Sequence, residues 1–223
     1  MKDNYYYWAS YRRKMLDLLQ ERYKDLYMGI VLDIGGRDRG QFKKPKDKVE
    51  KWIFADINEN HKPDMVLDVM NMNSIDEGCI DVVNAIELFE HVKDVDKGLK
   101  ECFRVLKYGG KLILSSPFLI HLHADPFDFQ RFTYLQWKKK LENVGFEVLN
   151  IIIMGRYFTH FSEMIKDLLK AGERRRIHGS TLFLKIIHPF LDRIRNLDQK
   201  SFIKNDPRLK NYHTGYFIIA RKK

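Results

Sequence analysis

The stretch Gly29-Ile30-Val31-Leu32-Asp33-Ile34-Gly35-Gly36 joins a short aliphatic run to an acid and a glycine pair. A run this short and rich in β-branched residues reads as a strand buried on both faces, which is the habit of a parallel sheet covered by helices. Asp33 then stands at the carboxyl end of that strand, the rim where open α/β sheets bind ligands, beside glycines that let a ligand approach the backbone. A carboxylate there suits a cationic ligand. Dinucleotide sites instead present G-x-G-x-x-G and a helix N-terminus to an anionic pyrophosphate, and the absence of that motif from this chain disfavours NAD.

Outward from this point the pattern repeats. Strands are expected at the apolar runs of residues 51–57, 63–69, 80–86, 111–118, 146–154 and 216–223. Between the middle ones, Val95, Leu99, Cys102, Phe103 and Leu106 recur at helical steps, and Gly109-Gly110 is placed to end that helix with a left-handed cap. A second helix is expected over residues 133–144, with Thr133 and Gln136 at capping-box spacing and Gly145 at its exit. Ahead of the first strand, Tyr11, Met15, Leu18, Leu19, Tyr23 and Leu26, together with Trp8, predict a leading helix over residues 5–27 that packs on the core or covers the ligand cleft.

Three successive strands are read as ending in acids. Asp56 follows Asp33 by 23 residues and suits a bidentate hydrogen bond to the hydroxyls of a ribose, and Asp68 can accept from an exocyclic amine such as that of adenine. A cation, a ribose and an adenine are thus expected in one ligand. On these residues the sequence resembles the class I S-adenosylmethionine-dependent methyltransferases. VLDIGG is similar to their first motif, ADIN to the acidic end of their second strand, LDVMN to the adenine-side acid, and DVVNAIELFEHVKD and LKECFRVLKYGGKLILSSPF to their fourth strand, following helix and fifth strand.

The resemblance implies an α/β, Rossmann-like sheet of seven strands, the last antiparallel, with helices on both faces and S-adenosylmethionine at the carboxyl ends of the first four strands. By the same resemblance Asp33 and Gly35 lie by the methionine part and Asp56 by the ribose, with Gly36 and Ile57 also expected among the cofactor-binding residues. Asp68 and Val69 lie by the adenine and Glu87 near the sulfonium. One departure stands out: where the family's loop carries further glycines, this chain has Arg37 and Arg39, and Pro45 opposes the helix expected next. Arg37 is well shaped to take the cofactor's carboxylate.

After the fifth strand, His121-Leu-His123-Ala-Asp125-Pro126-Phe-Asp128-Phe-Gln-Arg131-Phe-Thr133 resembles a signature of a bacterial subgroup of the family that occurs with glycan synthesis. The loop at this place borders the transferred methyl. Histidine's unperturbed imidazole titrates near neutrality, and His123 is therefore the candidate base for an acceptor hydroxyl. Asp128 and Arg131 have the spacing of a local ion pair, and Thr133 that of a helix cap. His121, His123 and Asp125 recur at steps of two, but Pro126 and the lack of a third imidazole in the loop argue against a metal there. His91 reads equally as a packed residue at the start of a helix.

The 223 residues, 44% hydrophobic and 31% charged, fit one globular domain and exclude a disordered chain or a fibre. Cys79 and Cys102 form no CxxC pair and are expected as two small buried thiols of a reducing cytoplasm. No apolar run has the length of a signal-peptide core or a bilayer span. The formal charge is +10, and residues 155–210 carry thirteen Lys/Arg against six Asp/Glu. The expected organisation is one domain with a leading helix (1–28), a cofactor core (29–154), a basic helical insertion (155–210) and a last strand (211–223). Charges beside an aliphatic face in the insertion suit an anionic membrane surface better than nucleic acid. The reading is thus a cytoplasmic methyltransferase, peripheral to a membrane, that methylates oxygen on a small-molecule or glycan acceptor. Its rivals are a degenerate fold that binds partners without catalysis and an RNA methyltransferase using the insertion as its platform.

Overall fold

A computed structural model describes residues 5–7, 9–37, 40–124, 126–174 and 180–223 of the chain, and within them the apolar runs form one sheet. The strands are β1 (Gly29–Ile34), β2 (Val49–Asp56), β3 (Met65–Val66), β4 (Ile80–Ile86), β5 (Leu106–Pro117), β6 (Phe146–Met154) and β7 (Gly215–Lys222). Their order is β3-β2-β1-β4-β5-β7-β6. The pairs from β3 to β5 are parallel, and the last strand in the chain is antiparallel. Chain order reverses at β1, which has β2 on one side and β4 on the other, so a crevice is expected at the carboxyl ends there. Val31, Leu32, Val82, Val83, Leu112, Ile113 and Leu114 are fully buried, as strands covered on both faces require.

Several local expectations are corrected. The third strand stops at Val66; Asp68 lies beyond it in a turn, its Oδ1 accepting from the Met70 amide at 2.8 Å and its carbonyl from Asn71. The helix α2 (Val95–Val105), capped by Asp94, runs directly into β5 without a glycine cap. Gly109 and Gly110 instead sit inside β5 where its register with β4 shifts, and Gly109 supplies the positive φ of +77° that this bulge uses. In α3 (Tyr134–Val144) the Thr133 hydroxyl accepts from the Gln136 amide and Gly145 closes the helix at φ +111°, both as read from the sequence. Cys102 is buried, its thiol pushed up to about 12 by desolvation, whereas Cys79 is only half-buried. Between Gly40 and Lys48 there is no helix, consistent with Pro45.

The chain forms two compact units, one of residues 17–152 with 216–223 and one of residues 1–16 with 153–215. The leading helix α1 (Tyr11–Arg22) contributes to both. Its buried side chains are Tyr11, Leu16 and Gln20, while Leu18, placed on the apolar stripe by sequence, is 70% exposed. Trp8 lies outside the described residues.

The second unit contains the insertion, which is helical: α4 (Tyr157–Arg174), α5 (Ser180–Arg195) and α6 (Ser201–Asn205). Buried Asp198 caps α4 by accepting from the backbone amides of Arg156, Phe158 and Thr159. Both long helices turn polar groups inward. Glu163 accepts from the Tyr11 amide, Lys166 donates to the Ala9 carbonyl at 2.6 Å, and His188 is enclosed by Tyr6, Tyr7 and Tyr11. Burial lowers the Lys166 ammonium to about 8 and, with Lys14 nearby, the His188 imidazole to about 4. The polar faces of α4 and α5 are thus used to hold the chain's N-terminal segment.

Candidate active site

A cleft of about 750 Å³, counting the solvent in its mouth, lies at the carboxyl ends of β1, β2 and β4. Gly35, Arg37, Asp56, Ile57, Asp68, Val69 and Glu87, all expected from the sequence, line it.

The floor is set by two residues in left-handed conformation. Gly35 turns at φ +71° directly after β1, and a Cβ there would also come within 3.2 Å of Leu88. Glu87, immediately after β4, holds φ +53°, a conformation that disfavours any residue with a Cβ. It is fixed by its amide, which donates to the Ser115 carbonyl and hydroxyl, and by the Ser115 hydroxyl, which donates back to Oε1 at 2.7 Å. Strain held this firmly at a strand end is a mark of functional sites.

On the β2 side, Asp56 is almost buried and already engaged. Its Oδ1 accepts from the Asn58 amide at 2.9 Å, and its Oδ2 lies 2.8 Å from His61 Nδ1. The other nitrogen of His61 is 3.0 Å from Arg37 Nη1. Arginine only donates, so Nε2 is placed to accept from Arg37 and Nδ1 to donate to Asp56. His61 therefore ties Arg37 to Asp56 across the cleft. Sequence reading missed it; its position five residues after Asp56 becomes meaningful only because the short helical turn Glu59–His61 folds it back.

Asp33 is the main departure from expectation. It is 2% exposed and is not part of the cleft wall. Its Oδ2 accepts from the Trp52 indole at 2.9 Å, its Oδ1 from the Asn84 amide at 2.7 Å, and the Lys44 ammonium stands 3.6 Å away. Asn84 in turn accepts from the Tyr27 hydroxyl at 2.9 Å. In-chain donors thus take the place expected for a ligand's cation. Gly36 also lies off the wall, over this carboxylate: a Cβ on it would be 2.0 Å from Asp33 Oδ1. Asp33 and Gly36 shape the loop that carries Gly35 and Arg37. Arg39 lies outside the described residues.

His123 does not line the cleft either, whereas His91 does. The two rings meet edge to face at 5.2 Å between centroids. The His123 amide donates to Asp128 Oδ2 at 2.9 Å, and its ring Nδ1 is 3.3 Å from the same oxygen. Asp128 and Arg131 form the expected ion pair, through Arg131 Nη1 to Oδ1 and Nη2 to Oδ2, the latter at 2.7 Å. That guanidinium holds the Asp128 carboxyl down to about 2. Asp125 lies outside the described residues.

Comparison with solved structures bears on the frame. The chain is similar to an S-adenosylmethionine-dependent methyltransferase of Archaeoglobus fulgidus, at 21% identity and TM-score 0.56 with 94% of each chain covered. It is similar to the cyclase SpnF, at 15% identity and TM-score 0.61 with 94% of this chain and 81% of that one covered. A third likeness is to a phosphoethanolamine N-methyltransferase of Haemonchus contortus in complex with S-adenosyl-L-methionine, at 16% identity and TM-score 0.52, covering 93% of this chain and 52% of the other. At these identities the likeness is one of fold.

The chain has the class I methyltransferase fold.

Within that fold, residues 46–114 match the family described as Methyltransferase domain, a span that includes Asp56, Asp68, Glu87 and His91. A protein of Mycolicibacterium smegmatis, named a probable S-adenosylmethionine-dependent methyltransferase, is 32% identical over 78 residues. The match covers 32% of this chain and 30% of that relative's length. One fold hosts many chemistries, and the reaction follows from the residues of the site.

The cleft fits S-adenosylmethionine by its donor set. Asp56 and Asp68 offer acceptors for hydroxyls and an amine, Ile57, Leu67 and Val69 offer an apolar wall, and Arg37 offers a fork for a carboxylate.

Proposed function

We propose that the protein is an S-adenosylmethionine-dependent methyltransferase that methylates oxygen on a small-molecule or glycan acceptor. The observation that carries this is the acid-lined, apolar-walled cleft at the β1–β4 rim, with Arg37, Asp56 and His61 joined across it. The match over residues 46–114 and the M. smegmatis relative support it. S-adenosylmethionine supplies a methyl group already activated by positive sulfur, so the protein's task is alignment. Asp56 keeps lone pairs for the ribose hydroxyls beyond those given to Asn58 and His61. Asp68 and Val69 hold the adenine edge, Arg37 takes the carboxylate, and strained Glu87 faces the sulfonium. An acceptor hydroxyl sits at the His91–His123 end, where an imidazole can take its proton as the oxygen–carbon bond forms and the sulfur keeps the electrons of the broken bond.

The test is incubation with methyl-labelled S-adenosylmethionine and panels of hydroxylated metabolites and glycans. Label in an ether product together with released S-adenosylhomocysteine is expected. Calorimetry showing no binding of either nucleoside at millimolar concentration would overturn the reading in favour of a non-catalytic scaffold.

We also propose that the insertion docks on an anionic membrane surface. Among the described residues, α4 and α5 are inverted relative to ordinary surface helices: Phe161, Met164 and Leu168 on one and Leu182, Phe183, Ile186 and Phe190 on the other are exposed, while Glu163, Lys166 and His188 are buried. No helix among the described residues is long and apolar enough to cross a membrane. Apolar side chains in an excess of positive charge are the composition of a helix pair lying in the headgroup plane. Sedimentation with phosphatidylserine-rich vesicles is expected to bind the protein, and Phe183→Glu with Ile186→Glu to weaken binding by roughly tenfold or more. Equal binding to neutral and anionic vesicles, or no effect of the double variant, would contradict it.

A further inference from the structure

We propose that Glu90, His91 and His123 form a binding site for a divalent transition-metal ion. Each offers a donor atom, and the three atoms lie within 4.8 Å of one another. An ion held tetrahedrally with bonds of about 2.0–2.2 Å places its donors roughly 3.3–3.6 Å apart, so side-chain movements of about 1–1.5 Å close the set. The residues come from two places in the chain. Glu90 and His91 sit in the helical turn Phe89–His91 after β4, and His123 in the loop after β5. This explains why the spacing of residues 121–125 alone did not suggest a complete ligand set.

Three further observations point to an ion. Glu90 is 1% exposed, and its Oε1 lies 3.7 Å from His91 Nε2. His91 Nδ1 lies 2.6 Å from the Phe127 carbonyl, which can only accept, so Nδ1 carries the proton and Nε2 presents its lone pair toward Glu90. His123 Nδ1 lies 3.3 Å from Asp128 Oδ2 and 3.5 Å from Arg131 Nη2, which fixes the ring with Nε2 on the side away from that ion pair. Carbonyl and carboxylate groups behind the outer ring nitrogens are the supports that orient metal-ligating histidines.

Two imidazoles and one carboxylate select zinc, cobalt, nickel or iron over magnesium or calcium, which prefer oxygen. Three protein ligands leave a position open, and His91 lines the cleft, so that position suits an acceptor hydroxyl. In an ion-loaded protein the imidazoles act as ligands instead of proton acceptors. This use of the ion rests on the proposed methyl transfer, whereas the site itself does not.

The test is titration of chelator-stripped full-length protein with Zn²⁺ by calorimetry and with Co²⁺ by visible absorption. One ion per chain and a cobalt d–d band are expected. His91→Ala, His123→Ala and Glu90→Gln should each weaken binding by about tenfold or more and remove the band, with circular dichroism verifying the fold. Absence of Zn²⁺ and Co²⁺ binding, or binding that survives His123→Ala in a folded protein, would overturn the site. Titration of the same metal-free protein with S-adenosylhomocysteine separates the two claims. Nucleoside binding without metal binding refutes the ion site alone, and metal binding without nucleoside binding leaves the site standing and refutes the methyltransferase reading.

Discussion

Replacing Asp56 by alanine is expected to lower affinity for S-adenosylhomocysteine by about a hundredfold or more. Hydrogen bonds to a charged group are worth about 1.5–3 kcal/mol each, and a ribose would make two of them with this carboxylate. The same side chain also fixes the site around it. Its Oδ2 receives the His61 Nδ1 proton and its Oδ1 the Asn58 amide. Without it His61 loses the partner that sets its tautomer, and Arg37 loses the acceptor that holds it over the cleft. Asp56→Asn, which keeps the shape and one acceptor oxygen, should lose less. Calorimetry measures the affinities, and thermal unfolding followed by circular dichroism separates them from a folding defect. An Asp56→Ala protein that melts like the wild type and binds as tightly would show that the nucleoside lies elsewhere.

Gly36→Ala is expected to destabilise the protein by about 2–4 kcal/mol, a drop in Tm of roughly 5–15 °C for a chain of this size. The new Cβ would fall 2.0 Å from Asp33 Oδ1 and 2.1 Å from its Cγ. That carboxylate has no freedom to move aside. Swinging it away would strip the Trp52 indole and the Asn84 amide of their acceptor, and each orphaned buried donor costs about 1–3 kcal/mol. The alternative is movement of the loop carrying Gly35 and Arg37, which would weaken nucleoside binding as well. Gly78→Ala is the control, since its positive φ of +65° gives a strain of about 1 kcal/mol but no atom lies within 4 Å of the new methyl. Equal melting temperatures for the two variants would refute the tight contact at Gly36.

The sheet was legible because its signal is local: short β-branched runs ending in acids or glycines read directly as parallel strands, and β1, β4, β6 and β7 lie close to where those runs are. Thr133 and Gly145 were legible for the same reason, each acting on its own helix. Asp33 was read as a ligand carboxylate because the partners that occupy it, Trp52 and Asn84, stand 19 and 51 residues away. His61 and His91 gained their meaning only when turns folded them toward the cleft. Gly109 was read as a helix cap because a bulge and a cap ask for the same positive φ, and nothing local separates them. The stripe on α1 failed at Leu18 because the helix buries a face that includes Gln20, whose amide approaches the Tyr27 hydroxyl at 3.5 Å.

The central claim is that the rim of β1, β2 and β4 holds a sulfonium nucleoside, and a crystal structure of the protein grown with S-adenosylhomocysteine tests it most directly. The ribose hydroxyls are predicted on Asp56, the adenine beside Asp68 and Val69, the carboxylate on Arg37, and the sulfur facing Glu87 and His91. Density for the nucleoside outside this cleft, or a cleft that stays closed to it at saturating concentration, would contradict the account.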